Sequence, residues 1–285
     1  MAQVSIGVPV YNGATTLAAV LECIRVQTFS DFEVIISDNG STDDSRKIAA
    51  DFSLRDARFR LVEQPKNIGA KNNFLALVEM AGSDLFMWRA DDELSNPDYL
   101  STLKRHFDEN PRLALAAPRI RFVHDDGSTN YEEGFAIPPI RGRAKRIGES
   151  LLGASPSWFL GLWRKDVLRA ALDEVLPTYP YVWGWDPITL LPVLLDEGVE
   201  TDARAILIKR SISPARYRWR VPASEMWEMR RAFRRTCFAV LERRKWTIAE
   251  RCILSVYLVR FANLRVYRFW KTMRAQVREL LGDRR

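Results

Sequence analysis

Cysteine and histidine are scarce in this sequence. Its 285 residues include three cysteines, which lie far apart along the chain, and two histidines. A structural zinc site needs about four closely spaced Cys or His ligands, so we expect no such site. An odd number of widely spaced cysteines also argues against a disulfide framework and favours a reducing compartment.

Long apolar runs and glycine-rich phosphate loops are missing as well. No uninterrupted apolar stretch approaches the ~20 residues that cross a bilayer. The sequence does not open with a basic segment and an apolar run, so we expect no signal peptide. No G-x-G-x-x-G motif follows the first predicted strand and no Walker A lysine motif occurs. These absences argue against dinucleotide-dependent dehydrogenases and P-loop enzymes.

The composition nevertheless provides a core and an uneven charge distribution. Hydrophobic residues make up 47% and charged residues 28%, which excludes global disorder and fits one large domain or a domain with an appendage. Residues 1–210 carry 24 basic and 30 acidic side chains (net −6), whereas 211–285 carry 19 and 6 (net +13). We therefore expect different roles for an acidic body and a basic C-terminal segment.

Strand and helix patterns alternate along the first 118 residues. Apolar and β-branched runs at 4–10 and 32–37 are typical of buried parallel strands, and 14–27 between them has apolar residues at helical spacing. Strict alternation predicts an α/β fold with a mostly parallel central sheet and flanking helices.

Beyond residue 118 the alternation ends. The pattern predicts a turn at 125–127, a mobile loop over 128–148 and a strand over 157–163. From about residue 222 the chain becomes helical and rich in arginine and aromatic residues. We predict a body over 1–222, with halves at 1–118 and 119–222, followed by a helical basic extension over 223–285.

Small and polar residues follow four of the predicted strands. They are Pro9–Gly13, Asp38–Asp43, Asn67–Gly69 and Arg89–Glu93. In an open α/β sheet, ligands bind at the carboxyl ends of the strands, so we expect these segments to line one site. Taken singly, the second and third segments are also typical of turns, with Ser41 or Thr42 capping a helix.

The adjacent acids Asp91, Asp92 and Glu93 point more directly to a ligand. Neighbouring carboxylates repel one another, and a divalent cation relieves that repulsion. A hard cation such as Mg²⁺ or Mn²⁺ prefers one or two protein carboxylates together with diphosphate oxygens. The alternative is a solvated cap for the helix predicted at Pro97.

Together these segments resemble the family 2 glycosyltransferases, which have the A-type nucleotide-diphospho-sugar transferase fold. Order and spacing agree over about residues 1–110. The resemblance implies a nucleotide-diphosphate sugar donor, most often UDP-linked, and a Mn²⁺ or Mg²⁺ ion held by Asp92 that neutralises the departing diphosphate. It implies nucleotide contacts from six residues: Pro9, Tyr11, Asn12, Asp38, Asn67 and Asp91.

The resemblance also implies a carboxylate base later in the chain. Asp186, two residues after Gly184 and just before a predicted helix, resembles the family's base motif. A base within reach of an acceptor hydroxyl would drive in-line attack and invert the anomeric carbon. The alternative for Asp186 is a helix cap, and Asp173 and Asp196 are weaker rivals for the base.

Aromatic residues surround Asp186 in the sequence. Trp183 and Trp185, with Tyr179 and Tyr181 nearby, are candidates for stacking on an acceptor sugar, and core packing is the alternative. Three positions depart from the family pattern. Arg89 replaces the first aspartate of D-x-D-D, Ala14 an acidic residue after the first strand, and Trp185 a second acid before the base.

The C-terminal segment has a basic amphipathic pattern. Between 259 and 281 the apolar residues fall on one helical face, beside a basic stripe of Arg260, Lys271, Arg274 and Arg278. Such helices suit the surface of an anionic membrane. Packing on the body or homodimer formation are alternatives, and we expect no nucleic-acid partner.

We therefore predict a cytoplasmic, metal-dependent, inverting hexosyltransferase on the inner face of the cell membrane. Its nucleotide-sugar half would be 1–118 and its acceptor half 119–222. It would transfer a sugar to a glycan or lipid-linked glycan in surface polysaccharide biosynthesis. Two alternatives stay open: a nucleotidyltransferase on a related fold, and a non-catalytic membrane-attached binder or scaffold, which Arg89 and the lone Asp186 motivate.

Overall fold

The computed structural model describes residues 2–124, 126–131, 140–210, 221–266 and 269–280. Parts of the predicted turn, loop, acceptor half and tail lie outside these ranges, at 125, 132–139, 211–220, 267–268 and 281–285; the side chains of 278–280 are not described either. The chain divides into two compact units. The first comprises 1–134, 157–169 and 199–212, and the second 135–156, 170–198 and 213–285.

The first unit is built on one nine-stranded sheet in the order β3-β2-β1-β4-β8-β6-β9-β5, with β7 paired to β6. The strands are β1 (Val4–Val10), β2 (Phe32–Asp38), β3 (Phe59–Glu63), β4 (Leu85–Trp88), β5 (Leu94–Ser95), β6 (Leu115–Val123), β7 (Thr129–Tyr131), β8 (Leu162–Arg164) and β9 (Val199–Arg210). The pairs β3–β2, β2–β1, β1–β4 and β6–β9 are parallel, and the others are antiparallel. The predicted mostly parallel sheet is confirmed.

Four helices connect the strands of the first unit. They are α1 (Leu17–Arg25), α2 (Ser45–Arg55), α3 (Ala70–Met80) and α4 (Tyr99–Glu109). Helix α1 buries Leu17, Val20, Leu21 and Ile24, the apolar residues whose spacing predicted it. All seven residues of β1 are buried, as expected for a central parallel strand covered on both faces.

The pairing of β6 with β9 is interrupted once. Pro118 lies opposite Asp202 but Arg119 lies opposite Ile206, so residues 203–205 bulge out of the ladder. The carboxylate of Asp202 accepts hydrogen bonds from Arg204 and lies 3.0 Å from Nε2 of His106 in α4. These contacts fix the bulge, and β9 then continues beside β6 to Arg210.

The second unit is helical. Its helices are α5 (Arg143–Gly153), the later part of α6 (Lys165–Val175), α7 (Trp185–Leu195), α8 (Ala223–Glu242), α9 (Ile248–Arg265) and α10 (Phe269–Leu280). Helix α8 packs against α7, α9 and α10, and α9 packs against α5. The ring of Tyr257 occupies the space where a side chain of Gly148 would lie, so glycine permits the close approach of α5 and α9. No helix within the described ranges is long and apolar enough to cross a membrane.

Two local predictions are wrong. The loop predicted over 128–148 gives way to helix α5 at Arg143, because Ala144, Ile147 and Leu151 form a buried stripe between the basic residues. The strand predicted over 157–163 is a 3₁₀ helix (Pro156–Leu160) followed by the short strand β8. A short apolar run is compatible with either element, and the proline at its start favours the helical turn.

Candidate active site

The four polar segments meet at one edge of the sheet, because β3, β2, β1 and β4 are consecutive parallel neighbours. In the register of the sheet, Asp38 at the end of β2 lies between Val10 of β1 and Glu63 of β3. The prediction that these strand ends come together is therefore correct, and their loops form the candidate site.

The loop after β1 is held by the loop after β2. The backbone N–H of Asn12 donates to Oγ of Ser41 (3.0 Å), and Oδ1 of Asn12 accepts from the backbone N–H of Thr42 (2.8 Å). Asn12 has a φ of 53°, a left-handed conformation that asparagine tolerates better than most residues. Ser41 and Thr42 thus join two loops. The alternative that they cap the next helix is wrong, because α2 begins at Ser45.

Two further bonds continue this junction. The backbone N–H of Gly13 donates to Oγ of Ser45 (2.9 Å), and that of Ala14 donates to Asp43 (3.0 Å). Pro9 is buried in β1, whereas the ring of Tyr11 is 48% exposed at the rim of the site. Of these two predicted nucleotide contacts, Tyr11 therefore has a side chain that a ligand can reach, whereas the side chain of Pro9 is buried.

Asp38 is the most conspicuous polar side chain of the site, because it is 1% exposed. Its Oδ2 accepts from the backbone N–H of Ser41 (3.2 Å) and lies 3.8 Å from Nε of Arg46. Its Oδ1 is buried and has no hydrogen-bond partner among the described residues. A buried oxygen without a partner costs free energy, so this atom is suited to accept a hydrogen bond from a ligand.

Asn67 shapes the loop between β3 and α3. Its Oδ1 accepts from Nδ2 of Asn39 (3.1 Å) and from the backbone N–H of Gly69 (2.8 Å). Gly69 has a φ of 86°, which favours glycine at this position. Asn73, buried in α3, bonds Ser37 through both ends of its amide. These amides hold the third loop against β2.

Asp91 and Asp92 occupy the centre of a tight turn. The turn is closed by the backbone N–H of Glu93, which donates to the carbonyl of Ala90 (3.3 Å). Burial and the negative charges of Asp92, Glu93 and Asp43 raise the pKa of Asp91 to about 7. A side chain at Gly13 would place its Cβ 2.2 Å from Oδ2 of Asp91, so the β1 loop lies directly against this carboxylate.

The turn fits a hard divalent cation that takes most of its ligands from elsewhere. Mutual repulsion within the Asp91–Asp92 pair is what a cation would relieve. Among the described residues there is no cluster of three or more His, Cys, Asp or Glu side chains that could hold a metal alone. The remaining ligands would come from water and from diphosphate oxygens.

Arg89 and Glu93 lie beneath this turn. The Arg89 guanidinium is buried and stacks over the ring of Tyr99, 4.6 Å from its centroid, and its Nε and Nη1 have no partner within the described part of the chain. Glu93 is buried and pairs with Lys209 of β9 at 2.7 Å. Burial raises the pKa of Glu93, and the charges of Lys209 and Arg89 oppose that rise. Sequence reasoning missed Lys209, which lies 116 positions away from Glu93.

The predicted base and acceptor residues belong to the second unit. Asp186 lies in the first turn of α7, after Gly184 in a left-handed conformation with a φ of 82°. Gly184 is the N-cap of α7, so the alternative that Asp186 caps the helix is wrong. Trp183 is 55% exposed, whereas Trp185 is 8% exposed, which favours packing for Trp185. Tyr179 is fully buried and makes an edge-to-face contact with Phe233, so it packs in the core.

Comparison with known proteins gives a family match. The sequence model described as "Glycosyl transferase family 2" matches residues 5–169, more than half of the chain. Among curated proteins, the chain is 32% identical over 127 residues to "Putative glycosyltransferase EpsH" of Bacillus subtilis, covering 44% of this chain and 36% of that protein. It is 26% identical over 125 residues to "Glycosyltransferase GlyG" of Streptococcus pneumoniae, covering 44% and 42%. The chain thus spans less than half the length of these two relatives.

Solved structures with the same fold cover more of the chain. Staphylococcus aureus TarS 1-349 in complex with UDP-GlcNAc superposes with a TM-score of 0.63 at 16% identity, covering 90% of this chain and 71% of that one. The mannosyltransferase PcManGT of Pyrobaculum calidifontis in complex with GDP-Man and Mn²⁺ gives 0.61 at 15% identity, covering 99% and 75%. At these identities the likeness concerns the fold.

Proposed function

The chain belongs to glycosyl transferase family 2, and on that premise we propose that it transfers a hexose from a UDP-linked donor to a glycan or lipid-linked glycan. The observation that carries the proposal is the convergence of Asp38 and the Asp91–Asp92 turn on either side of the β1 loop. Membership in the family sets aside both the nucleotidyltransferase and the non-catalytic scaffold.

The hydrogen-bonding state of Asp38 supports a uracil base. Its Oδ1 is open to one donor, while its Oδ2 is engaged by Ser41 and lies beside Arg46. Uracil presents one N–H group flanked by two carbonyls, which complements one carboxylate oxygen next to a guanidinium. Guanine presents two neighbouring N–H groups and would require both carboxylate oxygens. Tyr11, Asn12 and Asn67 complete the proposed nucleotide site, with Tyr11 beside the base or ribose.

The Asp91–Asp92 turn is the proposed place of the diphosphate and of a Mn²⁺ or Mg²⁺ ion. Such an ion supplies Lewis-acid neutralisation of the leaving diphosphate. Asp92 would be a ligand of this ion, and Asp91, pressed against Gly13, would face the ribose and diphosphate. Glu93, the residue that follows Asp92, is anchored by its pair with Lys209.

Asp186 is the proposed general base. In this role it would accept the proton of the acceptor hydroxyl as that oxygen attacks the anomeric carbon opposite the leaving diphosphate, which inverts the carbon. Its place in the first turn of α7, after the left-handed Gly184, supports this role. The exposed ring of Trp183 is the proposed stacking surface for the acceptor, and Trp185 is buried.

Residues 223–285 are the proposed attachment to the inner face of the cell membrane, where surface polysaccharides are assembled. Helix α10 exposes Phe269 (40%), Trp270 (72%) and Val277 (46%), and it also carries Lys271 and Arg274. Aromatic and basic side chains on one short helix suit the headgroup region of an anionic bilayer. Flotation with phosphatidylglycerol vesicles tests this proposal, and the double variant Trp270→Ala with Lys271→Gln should no longer bind the vesicles. If the wild-type protein is instead a dimer in solution and this variant is a monomer, the exposed face of α10 belongs to a homodimer interface.

The proposed reaction is tested by incubating the full chain with UDP-hexoses and Mn²⁺ and measuring released UDP. We expect UDP release that depends on the metal, is lost in Asp92→Ala and falls at least about 100-fold in Asp186→Asn. Binding of UDP should remain in Asp186→Asn. Full turnover of that variant would overturn the base assignment, and release from GDP-hexoses alone would overturn the uracil assignment.

A further inference from the structure

Three arginines share one face of the sheet at the ends of β6 and β9. Arg119 and Arg121 are two positions apart on β6, so their side chains leave the same face. In the parallel register, Arg121 lies opposite Ile208, and Arg210 opposite Val123, which places Arg210 on that face too. Tyr131 of β7 lies opposite Arg121 on the other side of β6. We call Arg119, Arg121 and Arg210 the arginine face.

None of these guanidinium groups forms an ion pair within the part of the chain that the structure describes. The Nε–H groups of Arg119 and Arg121 are buried and donate to no acceptor there, while both side chains remain partly exposed. Arg210 is exposed. By contrast, Arg105 and Arg204 at the other end of β9 pair with Asp202. The arginine face therefore concentrates positive charge without internal neutralisation.

One of these side chains is also held in position. The Arg119 guanidinium stacks on the ring of Tyr131, 4.1 Å from its centroid. Stacking occupies the flat face of a guanidinium and leaves its edge, where the N–H groups point, open for a planar or tetrahedral oxyanion. A buried Nε–H without an acceptor is costly, and a bound carboxylate or phosphate would remove that cost through charge-assisted hydrogen bonds.

The arginine face is distinct from the Glu93–Lys209 pair at the carboxylate turn. Successive residues of a strand point to opposite faces of the sheet, so Arg210 leaves β9 on the face opposite to Lys209, as Arg119 and Arg121 do on β6. This separation favours a group on the second sugar substrate over the diphosphate proposed for the turn.

We propose that Arg119, Arg121 and Arg210 bind an oxyanion, phosphate or carboxylate, that the acceptor carries. The assignment to the acceptor rests on the proposed function, whereas anion binding itself does not. The enzyme would accordingly prefer an anionic glycan or a phosphate-bearing acceptor over a neutral one.

The test follows the Nε–Hε signals of arginine by NMR in the full chain, without metal or nucleotide. Inorganic phosphate and acetate are titrated separately, because they represent the two oxyanion classes. We expect the signals of Arg119 and Arg121 to shift together and to saturate, with half-saturation on the order of 1 mM for the better anion. Shifts that stay linear with both anions would overturn the proposal.

A matched variant separates a site from general charge. Arg121→Gln should weaken phosphate binding at least about tenfold, whereas Arg55→Gln, which removes an exposed arginine of α2, should change it less than about twofold. Arg121→Lys keeps the positive charge but loses the planar set of N–H donors that binds an oxyanion through two hydrogen bonds, so we expect an intermediate affinity for phosphate. This variant also serves if Arg121→Gln does not fold. Equal losses in Arg121→Lys and Arg55→Gln would refute a built site.

The acceptor assignment is tested by repeating the titration with saturating UDP and Mn²⁺. Shifts that persist support an acceptor group, since the diphosphate site is then filled. Loss of the shifts would assign the arginine face to the donor and overturn this part of the proposal. Because the first titration contains no nucleotide, a failure of UDP binding leaves its result intact.

Discussion

The ammonium group of Lys209 lies 2.7 Å from the carboxylate of Glu93, a buried residue that closes the Asp91–Asp92 turn. Lys209 also donates to Oγ of Ser157 (3.2 Å). The pair therefore links the last strand of the sheet to the residues that would meet the diphosphate. We therefore expect a substitution at Lys209, near the end of β9, to alter metal-dependent ligand binding at Asp91 and Asp92.

Replacing one partner of this buried pair leaves an uncompensated charge. Lys209→Met should lower the free energy of unfolding by about 3–5 kcal/mol and weaken Mn²⁺-dependent UDP binding. The double variant Lys209→Met with Glu93→Gln should recover much of the stability, as judged by urea unfolding. Arg25→Met, which breaks the exposed pair with Glu22, is the control and should have a much smaller effect. Equal effects of Lys209→Met and Arg25→Met would show that the pair is not an anchor.

The contact between Gly13 and Asp91 predicts a second effect. A methyl group at Gly13 would lie 2.2 Å from Oδ2 of Asp91, so Gly13→Ala must displace the Asp91 carboxylate or the β1 loop. Overpacking of this kind costs about 1–3 kcal/mol, and metal-dependent UDP affinity should fall about tenfold or more. Gly82→Ala is the matched control, since its methyl would approach the Glu33 carboxylate only to 3.1 Å, at Oε1. An unchanged Mn²⁺ titration in Gly13→Ala would contradict the contact.

The raised pKa of Asp91 predicts a pH dependence in the metal-free protein. The pKa of Asp91 is about 7 in the folded state. Between about pH 4 and pH 7, Asp91 is therefore protonated in the folded protein and ionised in the unfolded chain. Its contribution to stability is thus fully present below about pH 4 and is lost as the pH rises through 7. Asp91→Asn should remove this slope from urea unfolding measured between pH 5 and 8.

The same proton competes with a metal ion. Mn²⁺ affinity, measured by calorimetry, should fall as the pH drops below 7 and should become nearly independent of pH in Asp91→Asn. A wild-type affinity that is constant between pH 5.5 and 8 would contradict the placement of Asp91 near the ion.

Asp202 predicts the opposite dependence. Hydrogen bonds from Arg204 and His106 hold the pKa of Asp202 below its usual range. A depressed pKa stabilises the fold above the unfolded value of about 4, and this contribution is lost as the pH falls through the folded value. Asp202→Asn should destabilise the protein by about 2 kcal/mol at pH 7 and progressively less towards acid. Asp31→Asn, which changes an exposed aspartate, is the control; a loss that did not shrink in acid would exclude the linkage.

The strand ends could be predicted from the sequence because they depend on local patterns. The apolar runs of β1 and β2 identify the strands, and Asp38 and Asp91 follow two of them, so parallel topology alone brings these residues to one edge. Helix α5 was missed because its buried stripe of Ala144, Ile147 and Leu151 is hidden among basic residues.

Long-range pairs were beyond sequence reasoning. The partner of Glu93 is Lys209, near the end of β9. The register of β9 depends on a bulge at 203–205, which no local sequence pattern predicts. The arginine face has the same origin, since Arg210 joins Arg119 and Arg121 only through the pairing of β6 with β9. Arg89 departs from the family pattern, and only the structure shows it stacked on Tyr99.

Calorimetric titration of UDP into the full chain, with and without Mn²⁺, tests the central claim most directly. We predict binding that strengthens at least about tenfold with Mn²⁺, that loses this dependence in Asp92→Ala, and that is weakened about tenfold or more by Asp38→Asn. The amide in that variant keeps a single acceptor oxygen, which the backbone N–H of Ser41 engages, and it presents an NH₂ donor in place of Oδ1. GDP should bind more weakly than UDP to the wild-type protein. UDP binding that is indifferent to Mn²⁺ and to both substitutions would contradict the account.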